Sequence, residues 1–135
     1  MKNAGNRGFD QHYNTQVIVT HQSLFAIATH VSNHPNDKLD ALPTVDGITP
    51  RLGKPKRAAL DNEYFSITNI EGLQSRGIEP YIATGRQSHY LSWKAWLEEL
   101  GDPPPEASPK LKMAYKLKTD EGRQSIDCEN VRLNR

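Results

Sequence analysis

The chain has 135 residues, 36% of them hydrophobic, enough for one small domain with a modest core and no more. A formal net charge of +1 excludes a protein that holds polyanions by overall charge; local basic runs, Arg51 to Arg57 and Lys110 to Lys118, could contact phosphate but more often form solvated faces. The single Cys128 excludes an internal disulfide framework and a multi-cysteine zinc site, no apolar run nears the roughly 18 residues that span a membrane, and Met1 to Asn6 is no signal peptide, so the expectation is a soluble, cytoplasmic protein.

Asn3 to Gly8 is turn material, with glycines and asparagines that tolerate positive φ. Tyr13 to Thr20 alternates and is rich in β-branched residues, and Ser23 to Val31 repeats the pattern after a short break at His21-Gln22, which predicts a hairpin. Ser32 to Asp37 halts the second strand and offers Asn36 or Asp37 as a cap. Behind it Leu39, Leu42 and Val45 recur at roughly helical spacing, in a helix that Pro43 and Pro50 keep short. A Gly/Pro/basic linker leads into a short apolar strand ending at Asp61. Ser66 then caps a helix over 67–76, with Ile67, Ile70 and Leu73 on one face and Gly77 at its end, and Pro80 to Thr84 reads as another strand. Farther on, Ser88 to Leu100 has the spacing of an amphipathic helix, stopped by Gly101 to Pro105. A basic segment over 108–118 and a polar tail over 119–135 complete the chain.

The order strand, strand, helix, strand, helix, strand mixes a hairpin with a strand-helix-strand crossover, which predicts an α/β fold with a mixed sheet flanked by helices. Asp61 is the most informative residue, because a strand delivers its carboxylate to the strand's end just before a helix. Metal-dependent nucleases keep one acid of their site in that position, although one acid alone binds Mg²⁺ poorly.

Four runs, Tyr13 to Val19, Val31 to Lys38, Ala59 to Ser66 and Gly77 to Arg86, resemble in order and spacing the catalytic region of bacterial insertion-sequence transposases of the DDE type. The resemblance covers about Met1 to Arg123. It implies an RNase H-like domain in which two aspartates and a glutamate hold two divalent ions, Mg²⁺ or Mn²⁺, that activate water or a DNA 3′-hydroxyl against a phosphodiester. Ions about 4 Å apart repel, and anionic ligands offset that repulsion. The resemblance makes Asp61 the second aspartate, both catalytic residue and metal ligand, with Glu63 where glycine is common. The family's first aspartate would fall before Met1, on a central strand whose loss leaves two half-sheets with unpaired inner edges. Its glutamate would follow Lys118, in a run resembling Gly-Arg, a few residues, then Val-Glu-Pro. Gly122-Arg123 is present, but Gln124 to Arg135 does not fit. Codons for that tail can be chosen so that the neighbouring frame reads Ala-Ile-Tyr-Arg-Leu-Arg-Lys-Cys-Thr-Val-Glu-Pro, which restores the pattern; the expectation is a frameshifted tail, the alternative a divergent native one.

The expected organisation is therefore a partial RNase H-like catalytic domain over 1–86, a helical and basic segment of the same domain over 87–123, and a non-native tail over 124–135. Arg86, after the strand beside Asp61, is the candidate DNA-phosphate contact. Asp37 reads as a helix cap, Glu129 as no ligand, and His12, His21, His30, His34 and His89 as surface or packing residues. Trp93 and Trp96 read as core. The expected function is that of a fragment of a DDE transposase for DNA transposition, by metal-dependent DNA strand cleavage and transfer, inactive in this form because Asp61 alone binds metal weakly. The alternative is a non-catalytic module that pairs with full-length transposase, or occupies the DNA of the insertion-sequence ends, through a sheet edge or the basic segment.

Overall fold

The computed structural model describes residues 13–85 and 102–126. The chain divides into two compact units, at Pro55/Lys56. Among the described residues the α/β content expected from the sequence is present, and the strands form two separate two-stranded sheets rather than one mixed sheet. The expected helix over 88–100 and the stretch around Arg86 lie outside the described residues.

In the first unit, β1 (Asn14–Val19) pairs antiparallel with β2 (Ala26–Ser32). The register sets Asn14 opposite Ser32, Gln16 opposite His30 and Ile18 opposite Ala28, with a bulge between Ile18 and Val19. The connection is wider than the predicted break at His21-Gln22. Thr20 closes it, accepting from Leu24 N–H at 2.9 Å and donating to the Phe25 carbonyl at 2.9 Å, while Leu24 sits at φ 55. A 3-10 turn (Asp37–Leu39) follows, then α1 (Ala41–Asp46), which packs on both strands.

Two expectations about this helix are corrected. Asn36 makes no side-chain cap bond, and the Asp37 carboxylate faces β1 instead of the helix terminus. The buried face is Asp40, Ala41 and Thr44, whereas Leu39 is 62% exposed. Alternation along β1 explains this outcome. Asn14 and Gln16 share the sheet face that α1 covers, so the covering face must bring hydrogen-bond partners rather than leucines.

The second unit holds β3 (Arg57–Leu60), a 3-10 turn (Asn62–Tyr64), α2 (Ile67–Ser75) and β4 (Glu79–Ile82). The two strands run parallel, Arg57 beside Glu79 and Leu60 beside Ile82, as a strand-helix-strand crossover requires. Ser66 caps α2, its hydroxyl accepting from Asn69 N–H at 3.1 Å. Gly77, at φ 68, ends the helix and turns the chain so that Ile78 N–H reaches back to the Leu73 carbonyl at 2.9 Å.

The basic segment is itself a helix, α3 (Pro109–Leu117), capped by Ser108 and started by Pro109, and α4 (Asp120–Ile126) follows. Met113 and Leu117, four apart on one face of α3, bury against Tyr81 and Ile82 of β4, with Leu60, Tyr64, Phe65 and Ile70 packed around them. Helix α4 runs through Arg123 into Gln124 without a break. Lys116 fastens α3 to β4: its ammonium pairs with Glu79, donates to the Pro80 carbonyl at 2.7 Å, and lies 4.5 Å over the Tyr81 ring.

Candidate functional site

Asp61 follows directly on β3, in extended backbone at φ −68 and ψ 164, and caps the 3-10 turn. One carboxylate oxygen accepts from Asn62 N–H at 2.6 Å, and the Asp61 carbonyl accepts from Tyr64 N–H at 3.1 Å. The residue is exposed. Beside it β4 continues into Ala83, whose N–H donates to the Leu60 carbonyl at 3.0 Å, then Thr84 and Gly85. The carboxyl ends of two parallel strands therefore lie together, with Asp61 at one of them.

No family model, curated protein or solved structure matches this chain. The candidate site consequently rests on its own geometry. Among the described residues no group of three or more His, Cys, Asp or Glu side chains is arranged to hold a metal ion. Asp61 has one oxygen engaged by a backbone N–H, so it offers the other as a single ligand. The described residues do not by themselves compose a two-metal site. Arg86, the expected phosphate contact, falls outside the described residues.

The first unit contains a polar cluster that the sequence reading did not assemble. Asp40 is fully buried. Ser32 Oγ donates to one of its oxygens at 2.7 Å and His34 Nδ1 donates to the other at 2.6 Å; His30 Nε2 lies 3.6 Å from that second oxygen. Gln16 Nε2 donates to Asp37 at 2.9 Å and to Asn14 Oδ1 at 3.1 Å, and Asn14 donates to Asp37 as well. Thr44 Oγ1 turns back onto the Asp40 carbonyl. A carboxylate removed from water is tolerated only when its lone pairs are satisfied, and here both oxygens are.

This cluster joins the hairpin to the helix that covers it. His30 and His34, read as surface or packing residues, are half-buried beside Asp40. A signal was present in the sequence: Asn14 and Gln16 at period two on one strand, with His30 and Ser32 at period two on the next. It becomes a cluster only once the register is known.

Among the described residues, Tyr81 is a titratable group altered by its surroundings. Burial is the leading cause that raises its pKa above the ordinary 10.0, and the Glu121 carboxylate, which accepts from its hydroxyl at 3.3 Å, adds to the rise.

Proposed function

We propose that the chain derives from the catalytic domain of an insertion-sequence transposase of the DDE type, with Asp61 in the place of the middle acid. The observation that carries this reading is the setting of Asp61. A carboxylate stands at the carboxyl end of a parallel strand, ahead of a short turn and a capped helix, and the Gly77 to Gly85 run returns as the neighbouring strand. The motif runs that resemble the family supply the rest of the support.

Intact enzymes of that kind act on DNA at their element's ends with Mg²⁺ or Mn²⁺. Residues 13–85 and 102–126 offer one exposed carboxylate oxygen at this point, and a single monodentate ligand holds Mg²⁺ too weakly to organise phosphodiester attack. On this reading the chain is inactive by itself. Incubation with supercoiled plasmid and Mg²⁺ or Mn²⁺ is expected to leave the plasmid intact. Metal-dependent nicking that disappears in Asp61→Ala would show a working site and overturn the inactive reading. Descent is tested separately by the gene: codons after Arg123 that cannot yield Val-Glu-Pro in a neighbouring frame would sink the frameshift.

A second reading, a non-catalytic module that binds full-length transposase, is favoured by the exposure of Tyr13 (73%), Phe25 (71%) and Val31 (57%) along the hairpin. Retention of intact transposase by immobilised chain, abolished in Phe25→Ser with Val31→Ser, is the outcome this reading requires.

A further inference from the structure

The edges of the parallel sheet differ in how they are finished. Glu79 N–H donates to the Lys56 carbonyl and Ala83 N–H to the Leu60 carbonyl, both at about 3 Å, which fixes the direction of every backbone group in the pair. The even-numbered residues of β3 face β4, so the N–H and C=O groups of Arg57, Ala59 and the N–H of Asp61 point to the opposite edge. On β4 the outward positions are Pro80 and Ile82. Proline has no N–H to offer, and Lys116 occupies the Pro80 carbonyl.

The β4 edge is thus blunted. The β3 edge has neither device. Among the described residues β3 pairs with β4 alone, and Arg57, Ala59 and Asp61 are all exposed.

Those positions are also complementary to themselves. If a second β3 is laid antiparallel against the first through the outward groups, Ala59 must face Ala59 of the other copy. Arg57 then faces Asp61, twice, by symmetry. Alternation places these side chains on one face of the strand, where each cross-strand pair joins a guanidinium to a carboxylate. Asp61 retains an oxygen for the contact, because its cap to Asn62 uses the other. Methyl side chains at Ala59 let the backbones approach at the centre.

We propose that the outer edge of β3 is a docking surface for a second copy of this chain, paired antiparallel about Ala59 with reciprocal Arg57–Asp61 contacts. The inference stands on strand geometry and charge, whatever the descent of the chain. The edge is short, so the dimer is concentration-dependent, and exposed ion pairs make it weaken with salt.

Sedimentation equilibrium of the full chain over a range of concentration tests it, with far-UV circular dichroism to confirm that each variant is folded. Ala59→Pro removes an outward N–H without touching the bonds to β4, and Arg57→Asp sets Asp against Asp61; each is expected to weaken self-association about tenfold or more. The double reversal Arg57→Asp with Asp61→Arg restores opposite charges and is expected to recover association. A chain that stays monomeric throughout overturns the proposal. So does a dimer that tolerates both single variants, or one that the double reversal does not recover.

Discussion

Gly122 lies in α4, and ordinary helix propensity says that replacing it with alanine should stabilise the protein by about 1 kcal/mol. Its position says the opposite. A Cβ at Gly122 would stand 2.3 Å from the Lys116 carbonyl oxygen, 2.7 Å from the Leu117 Cα and 2.8 Å from the Leu117 carbonyl carbon. All three atoms are backbone, so no side-chain rotation relieves the overlap. The turn between α3 and α4 must open by about an ångström, and Leu117 moves with it. Leu117 and Met113 are the residues of α3 that bury against Tyr81 and Ile82. Overpacking of this kind costs about 3 kcal/mol, which outweighs the propensity gain and leaves a net loss of about 2 kcal/mol. Urea unfolding followed by circular dichroism measures it as a lower midpoint at unchanged slope. An alanine variant as stable as the parent, or more so, would refute the close approach of α4 to the end of α3.

Asp40→Ala should weaken the first unit by about 2 to 4 kcal/mol, because Ser32 and His34 lose a charged acceptor while the desolvation cost of the carboxylate is relieved only in part. Amide hydrogen exchange of β1 and β2 reports it, and unchanged protection there would show that the cluster does not hold the hairpin to α1. Leu24→Gly should stabilise by about 0.5 to 1 kcal/mol, since Leu24 occupies φ 55 and is more than half exposed; a lower thermal midpoint would contradict this. For Tyr81 the folded pKa lies above the unfolded one, so its contribution is complete below the unfolded value near 10 and is lost as pH rises from there through the folded value. Stability should therefore fall on the alkaline side, and Glu121→Gln should bring the Tyr81 phenolate absorbance in at lower pH. An unmoved titration would remove Glu121 from the account.

The elements most legible in the sequence are those whose signals are local. Ser66 and Gly77 bracket α2 because a hydroxyl that accepts from the third residue on, and a residue free to take positive φ, act within a few residues of themselves. The β-branched run around Val17 likewise announces a strand. Which face of that strand is covered was not legible. Gln16 is buried and Val31 is exposed, because the choice of face is made by distant Asp37 and Asp40. Helix α3 was hidden by its lysines. Lys110, Lys112 and Lys118 occupy solvent-facing positions and dominate the composition, while Met113 and Leu117, which decide its packing, are only two residues. The Asp61 position was read from its motif and does stand at a strand end, but a carboxylate's neighbours depend on chain segments that local sequence does not order.

The polar interior of the first unit has a thermal consequence. Among the described residues its buried apolar side chains are those of Ala28 and Ala41, set among buried Gln16, Asp40 and Thr44. Heat capacity rises on unfolding as apolar surface meets water and falls as polar surface does, so the opposing contributions here largely cancel. The hairpin and α1 should then melt over a broad, nearly symmetrical range with a flat stability curve. The second unit, closed by Leu73, Ile78, Ile82 and Leu117, should show the steeper curvature of a hydrocarbon core.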